Sequence, residues 1–555
     1  MDAFCAPCLL LPALSACTLL VVMWGLFSFK RRQGMPPQAP HILPWFGNIY
    51  SMLTDPVSWP ARMHDKLGDV FTTTALGYSV TYLRGQPNIT AFAKGSTRGL
   101  DSVAAYKRVV EPVAGQELFL SNLGEVQEAL DIRRLDNIQP ALFQFTRTHI
   151  RQTLRDRVPS SGWSDTIALQ SFMNASIFRM VCFCLLSPEV AISDGDYISE
   201  RMLAMDLKED FASFLIPWET EADRARVKGR SEVVACVARH ALDRITRLLG
   251  EDVDESPDDF MGYIIYTTWT PKQLRSASKA DLEGFARKVA LRTYVLFFAG
   301  FLPTVGRGAW AFQDLLTKNP AFFERIRSDN DRLIEDARLC GPDAAPRVEE
   351  HDFLYACITE SIRMHPVGAW LRWAEKPFLL PGNGSAPPML IPRGFVAVTT
   401  EAIGLNPTVY SEPNDYNPAR YFSAPFVARD DEASEKEFIR LDHVRSPPMT
   451  TDRTLQPSFG VGARQCPGRL FAYRMIATFM SALLESFELE PVETEANKDG
   501  KHDLSLSEVE AYADVLGSLD HPVDLWFYAD IWRNDGFNKT IITHLDLDPT
   551  RAAGT

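Results

Sequence analysis

The sequence predicts a mainly α-helical protein with a small β region, preceded by one N-terminal membrane-spanning helix. Three observations predict this class. The segment Cys8–Phe29 carries no charged residue. From about Glu125 to Met480, apolar residues recur at three- and four-residue spacing, as in helices that bury one face. Short β-like runs occur at Ser79–Leu83 and, broken by proline and glycine, between Leu379 and Thr400.

The uncharged N-terminal run is long enough to cross a bilayer. As a helix it would reach about 33 Å, and the hydrocarbon core of a membrane is about 30 Å thick. Three basic residues follow directly at 30–32, so the positive-inside tendency predicts that the rest of the chain is cytosolic. A cleaved signal peptide is the alternative, but Met1 and Asp2 do not form a basic n-region and the apolar run is too long.

Four segments are predicted along the chain. Residues 1–32 form the anchor with its basic stop, 33–48 a proline-rich hinge, 49–530 one large catalytic domain, and 531–555 a C-terminal tail. Proline blocks helix formation, so the hinge is expected to be a stiff, extended strap. The sequence has no internal repeat, which favours one domain over an array of small ones.

Composition excludes some functions. The formal net charge is −14 and there is no long basic stripe, which argues against nucleic-acid binding. The nine cysteines are odd in number and scattered, which suits a reducing compartment better than a disulfide framework. Cys5 and Cys8 form a single CxxC without a second pair, so we do not expect a zinc site there.

The most informative motif is the loop Phe-Gly-Val-Gly-Ala-Arg-Gln-Cys-Pro-Gly at 459–468. Cys466 is the candidate axial ligand of a haem iron. Gly462 and Gly468 lack a Cβ and would let the backbone approach a flat macrocycle closely. Arg464 could pair with a haem propionate, and Phe459 could pack near the sulfur. The alternative for this loop is a glycine-rich turn with a buried free cysteine.

This spacing resembles the cysteine-ligand loop of the cytochrome P-450 superfamily, and other residues strengthen the resemblance. Glu360 and Arg363 share one helical face, where they can form a charge-assisted pair. Arg420 resembles the arginine that completes the Glu-Arg-Arg cluster of the family, which implies that the three residues hold the segment carrying the thiolate loop. By the same resemblance Arg372 contacts a haem propionate. For the isolated Glu-x-x-Arg pair, an ordinary surface salt bridge is the alternative.

A long apolar segment at 291–316 resembles the oxygen-binding helix of the family. Ala299 and Gly300 match the small pair that leaves room over the haem. The family then usually has an acid followed by threonine, whereas this chain has Leu302 and Pro303, with Thr304 one step later as the candidate proton donor. A proline here is similar to the sterol 7α-hydroxylase and prostacyclin synthase branches. The departure leaves the reaction type open between hydroxylation and isomerisation of an oxygenated substrate.

The segment 131–140 could correspond to the helix whose tryptophan and arginine meet a propionate in many relatives. The tryptophan is missing here. Arg133 or Arg134 could contribute to the haem site, or the segment could be a solvated charge run.

The resemblance covers roughly residues 33–530 and implies the cytochrome P-450 fold with haem b ligated by Cys466. The implied activity is that of a monooxygenase anchored by one span in the endoplasmic reticulum membrane. It would take electrons from NADPH-cytochrome P-450 reductase, with cytochrome b5 as a further candidate donor. The expected substrate is a lipophilic small molecule, for example a terpenoid, steroid or polyketide of specialised metabolism.

Two other classes of function stay open at this stage. Leu302 and Pro303 favour a haem-thiolate isomerase or dehydratase that needs no external electrons. A haem-binding sensor or carrier is the non-enzymatic alternative. Phe297, Phe298, Phe301 and Leu302 would line a lipophilic pocket in the distal helix, unless the helical spacing of the aromatic residues means that they pack in the core.

Overall fold

The computed structural model describes most of the chain with gaps. The described residues are 34–41, 45–55, 57–95, 99–114, 130, 132–155, 167–204, 221–250, 259–341, 344–365, 369–382, 387–407, 409–421, 459–460, 466–491 and 542–547. The predicted anchor lies outside these residues, as does the predicted tail apart from 542–547.

Helices make up most of the described chain, as the apolar spacing predicts. They are α1 Ile49–Thr54, α2 Ser58–Leu67, α3 Gln86–Ala93, α4 Ser102–Ala114, α5 Ile132–Leu154, α6 Leu169–Leu185, α7 Pro188–Ser193, α8 Gly195–Ala204, α9 Glu221–Gly250, α10 Phe260–Thr268, α11 Pro271–Ser276, α12 Lys279–Thr317, α13 Pro320–Cys340, α14 Asp352–Met364, α15 Glu401–Gly404 and α16 Arg469–Ser486. Two short 3₁₀ turns lie at Val348–Glu350 and Pro418–Tyr421.

The strands of the described residues form three small sheets. Their bounds are β1 Val70–Ala75, β2 Tyr78–Leu83, β3 Leu100–Asp101, β4 Ile167–Ala168, β5 Ala369–Ala374, β6 Phe378–Leu380, β7 Met389–Ile391, β8 Gly394–Thr399, β9 Phe487–Pro491 and β10 Ile542–Leu547. The largest sheet has the order β1-β2-β8-β5-β3, and in it only the β2–β8 pair is parallel among the described strands. The predicted β regions thus correspond to β2 and to β6–β8, which confirms a mainly α class with a small β part.

The described part of the proline-rich segment lies along the edge strand β1. Ala39 N–H donates to the Thr72 carbonyl at 2.8 Å, and Thr72 N–H donates back to the Pro37 carbonyl at 2.8 Å. Asn48 N–H likewise donates to the Thr74 carbonyl. The chain after the predicted anchor therefore runs as an extra edge of the largest sheet.

The central helix α12 organises the core. It begins with a capping box, in which Ser278 and Asp281 each accept the other's backbone N–H. It packs against α6, α9, α14 and α16. Among the described residues it is the one helix long and apolar enough to cross a membrane, but 67% of its apolar window is buried inside the protein. We therefore interpret α12 as a core helix.

Candidate active site

Cys466 lies at the start of α16, two residues before its N-cap Gly468. Its backbone N–H donates to the carbonyl of Phe459 at 2.7 Å, which closes the loop on itself. The side chain of Cys466 is exposed. A Cβ at Gly468 would lie 3.9 Å from its sulfur, in ordinary van der Waals contact, and would narrow the approach to it. Because the N-terminal end of a helix carries partial positive charge, this position favours a thiolate.

An aromatic and hydroxyl contact chain holds the beginning of the loop. The ring of Phe459 packs on Tyr473 of α16 at 5.5 Å between centroids. Tyr473 stacks on Tyr355 of α14 at 5.7 Å, and its hydroxyl lies 3.0 Å from that of Thr359. Gly460 turns the chain with φ +81°, a conformation that favours glycine. The loop is thereby attached to both α16 and α14.

One face of α12 carries small residues and is open, whereas another face is packed with aromatic residues. Phe297 and Phe301 are completely buried against Phe178 of α6, with ring centroids 5.8 and 4.6 Å apart. Ala299 is exposed and Gly300 is half-buried, although both lie in the middle of the helix. Phe297 and Phe301 therefore pack in the core rather than lining a substrate pocket, which was the alternative for residues at helical spacing.

The open face of α12 approaches the helix that follows the cysteine. A Cβ built on Gly300 would lie 3.6 Å from the ring of Phe471, a residue of α16. Pro303 stands inside α12 and has no N–H to donate to the carbonyl one turn earlier. Thr304 is buried, and its hydroxyl donates to the Gly300 carbonyl at 2.5 Å. Ala299, Gly300 and Thr304 thus share one stretch of helix near the base of the cysteine loop.

Glu360, which is fully buried, is the centre of a cluster of charged residues. Arg363 binds it in a bidentate manner, with Nε at 2.8 Å and Nη2 at 2.7 Å from the two carboxylate oxygens. Arg420 donates to the same carboxylate at 2.9 Å. The backbone N–H of Asn417 and the hydroxyl of Tyr421 complete its shell at 2.9 and 3.0 Å. Five donors thus surround this one carboxylate, and their hydrogen bonds offset the cost of burying it.

The two arginines of this cluster also bind backbone carbonyls. Arg363 Nη1 donates to the carbonyls of Gly404 and Pro413 at 2.8 and 2.6 Å. Arg420 Nη1 donates to the carbonyl of Ser411 at 3.0 Å. Burial opposes the charge on Arg363, but its hydrogen bonds to Glu360 outweigh that effect and raise its pKa. The cluster thus ties α14 to residues 404–421, the last described stretch before the cysteine loop.

Arg372 is a buried cation on β5, with 2% of its surface exposed. Its Nη2 donates to the carbonyl of Ala93 at 3.2 Å, and its guanidinium lies over the ring of Phe92 at 4.7 Å. A buried guanidinium suits an anionic group such as a propionate. Gly462 and Arg464, the other two predicted haem contacts of the loop, lie outside the described residues.

The arginines at the start of α5 differ in their surroundings. Arg133 is exposed, whereas Arg134 is half-buried with its guanidinium 4.6 Å from the ring centroid of Tyr263. That cation–π contact gives Arg134 a packing role whatever else it contacts.

Two residues that contribute contacts to the site were not predicted from the sequence. Arg307 of α12 donates to the carbonyls of Ile362 and His365 at 3.2 and 3.0 Å, which connects the distal helix to the end of α14. Nothing in its local pattern indicates this. The carboxylate contact of Tyr421 was also missed, although its position directly after Arg420 is a signal that could have pointed to it.

These surroundings fit a haem held by an axial thiolate. The sulfur of Cys466 is accessible at a helix start, as a metal ligand must be. An exposed alanine at 299, in the middle of a core helix, requires open space beside it. Arg372 supplies a buried positive charge for an acidic substituent.

Comparison of this chain with known proteins supports this interpretation of the site. A model of the cytochrome P450 family matches residues 37–514. Lanosterol 14-alpha demethylase of Mus musculus is 21% identical over 481 residues, which cover 82% of each chain. Sterol 14-demethylase of Arabidopsis thaliana is 23% identical over 493 residues, 85% of this chain and 90% of the relative. The retinoic acid bound cyanobacterial CYP120A1 has the same fold, with a TM-score of 0.60 at 15% identity over 84% of this chain and 95% of that one.

The family match spans nearly the whole described body, and the fold, the cysteine loop and the curated relatives agree with it. We conclude that this chain belongs to the cytochrome P450 family of monooxygenases, which bind haem through a cysteine thiolate.

Proposed function

We propose that this protein oxidises a lipophilic small molecule, of the size and shape of a sterol or a related isoprenoid, with dioxygen and electrons from a reductase. One observation carries the proposal: the accessible sulfur of Cys466 and the small, open face of α12 at Ala299 and Gly300 belong to neighbouring elements. The names of the two curated relatives, a lanosterol 14-alpha demethylase of an animal and a sterol 14-demethylase of a plant, support the substrate class.

Five residues of the loop 459–468 have a proposed role in binding haem. Cys466 provides the thiolate for the iron. Gly462 and Gly468 let the backbone approach the ring, Arg464 pairs with a propionate, and Phe459 covers the approach to the sulfur. Arg372 is the proposed second partner for a propionate. Once bound, the haem supplies the activation of dioxygen, which thiolate ligation favours by pushing electron density onto the iron.

On the oxygen-binding side of the haem site, residues of α12 are proposed to keep room for oxygen and substrate and to donate protons. Ala299 and Gly300 keep side chains away from the open face of α12. The hydroxyl of Thr304, now bonded to the Gly300 carbonyl at 2.5 Å, is the proposed donor of protons. Leu302 and Pro303 cannot donate. Because Pro303 has no N–H for the carbonyl of Ala299 one turn earlier, that carbonyl is the proposed acceptor for a water molecule beside Thr304.

Removing this hydroxyl should uncouple electron use from product formation. We expect Thr304→Val to lower the product formed per NADPH by about tenfold or more, because a positioned general acid contributes 10²–10⁴-fold. Thr293→Val is the matched control, since Thr293 is equally buried in α12 and donates to the Val289 carbonyl at 2.9 Å. Equal coupling in the two variants would contradict a role for Thr304 as proton donor.

A test of the function uses the full-length holoenzyme reconstituted with a reductase. Lanosterol and other sterols should shift the haem absorption on titration and should give oxidised products only with NADPH, reductase and dioxygen. Failure of every lipophilic candidate to bind would contradict the proposed substrate class. The isomerase alternative, which Leu302 and Pro303 favour, predicts instead that a hydroperoxide is converted without reductase.

We also propose that residues 1–32 anchor the protein in the endoplasmic reticulum membrane. Residues 49–530 then form a cytosolic catalytic domain served by NADPH-cytochrome P-450 reductase, with cytochrome b5 as a further candidate donor. The triplet Asn538-Lys-Thr540 then faces the cytosol and stays without glycan. A mobility shift of the expressed protein after endoglycosidase treatment would contradict this orientation.

A further inference from the structure

A cluster of three side chains with different donor atoms lies outside the proposed active site. Asp194, Cys236 and His240 place one carboxylate oxygen, the sulfur and one imidazole nitrogen within 4.8 Å of one another. The Nε2 of His240 lies 2.8 Å from Oδ2 of Asp194. Cys236 is buried, while the other two are half-buried and within reach of solvent. An ion could therefore enter from the surface.

The backbone holds these three residues in place. Cys236 and His240 are four residues apart on α9, so their side chains project from one face of that helix. Asp194 joins α7 to α8: its N–H donates to the Val190 carbonyl at 3.0 Å, and its own carbonyl accepts from Ile198 at 2.9 Å. Because backbone hydrogen bonds hold both the helix and the α7–α8 junction, an incoming metal ion would require little reorganisation of the chain.

A neighbouring side chain also orients the carboxylate of Asp194. The hydroxyl of Ser193 donates to Oδ2 of Asp194 at 2.9 Å. Burial opposes ionisation of Asp194, but the bonds from Ser193 and His240 outweigh it and lower the pKa of this carboxyl. A hydrogen bond to a ligating carboxylate is the kind of supporting contact that metal sites use.

An exposed cation, Arg239, lies beside the cluster. Nη2 of Arg239 lies 3.3 Å from Oδ1 of Asp194 and 3.5 Å from the sulfur of Cys236. Its side chain is 59% exposed, so it can move into solvent without breaking a packed core. This guanidinium balances the carboxylate in the absence of a metal ion and competes with one for the same place.

We propose that Asp194, Cys236 and His240 form a zinc site that joins α9 to the α7–α8 turn, with water as the fourth ligand. Sulfur, imidazole nitrogen and carboxylate oxygen are the three ligand types that Zn²⁺ uses, and three protein ligands with one open position make a complete tetrahedral site. Bound zinc stabilises the folded state, because the ligands are brought together only there. The site is independent of the proposed oxidation.

Zinc titration of the dialysed full-length holoenzyme tests the site, by calorimetry and by metal analysis of the protein afterwards. The wild type should bind one Zn²⁺ and show a rise in Tm of about 2–4 °C at saturating zinc. His240→Gln should lose both the binding and the rise in Tm. Ser193→Ala should weaken binding on the order of tenfold or more through loss of the supporting hydrogen bond.

Arg239→Ala gives the sharpest result, because it should tighten zinc binding by removing the competing cation, whereas a merely structural ion network would only be weakened by it. Cys340→Ser controls for binding to an exposed thiol elsewhere and should bind zinc like the wild type. Haem content, measured in each variant, reports folding separately. No zinc bound by the wild type, or equal binding by His240→Gln and Cys340→Ser, would overturn the proposal.

Discussion

Replacing Glu360 with alanine is expected to lower the free energy of unfolding by about 3–5 kcal/mol, since breaking a buried ion pair leaves an uncompensated charge in the interior. Glu360 is 0% exposed and Arg363 1% exposed. The substitution would leave Arg363 and Arg420 without their carboxylate. Urea unfolding followed by tryptophan fluorescence and haem absorption measures the effect, and Glu360→Gln, which keeps one acceptor oxygen, should give a smaller loss if the alanine variant does not fold.

The chain contains a matched control for this experiment. Glu335 and Arg338 have the same three-residue spacing, with an N–O separation of 3.9 Å, but their side chains are 64% and 53% exposed. Glu335→Ala should therefore change stability by less than about 1 kcal/mol. Similar losses for Glu335→Ala and Glu360→Ala would show that burial of the cluster does not set its importance.

The second large effect is expected at the cysteine. Cys466→Ala should abolish detectable NADPH- and reductase-dependent product formation, because alanine offers no ligand to the iron and the push toward oxygen cleavage is lost. Fold and stability should change little, since the side chain is exposed in this structure. Circular dichroism of the apoprotein separates the two effects. Unimpaired turnover in this variant would contradict the assignment of Cys466.

The sequence predicted those features that depend on local pattern. The apolar spacing predicted a long helix around 291–316, and the structure has α12 at Lys279–Thr317. Proline- and glycine-broken runs predicted the small strands, and β6–β8 lie there. A Glu-x-x-Arg pair is not specific by itself, since Glu335 and Arg338 also form one. The pair Glu360 and Arg363 is distinguished by the additional presence of Arg420 and the cysteine loop in the sequence, and not by its spacing.

Features that depend on contacts between distant segments could not be read from the sequence. Phe297 and Phe301 were candidates for lining a substrate pocket. They instead pack against Phe178 of α6, and the sequence alone does not indicate which face of α12 meets α6. Arg307 lies on an apolar helix and binds carbonyls of α14, a contact that has no local signal. One hydrogen-bond partner of Arg372, the carbonyl of Ala93, is likewise far away in sequence.

The central claim is that the sulfur of Cys466 bonds to the haem iron. Its most direct test is the reduced, carbon-monoxide difference spectrum of full-length wild type, Cys466→Ala and Cys340→Ser, all with haem added. We predict the red-shifted thiolate band in wild type and in Cys340→Ser and its complete loss in Cys466→Ala. A thiolate band of normal intensity in Cys466→Ala would contradict the claim.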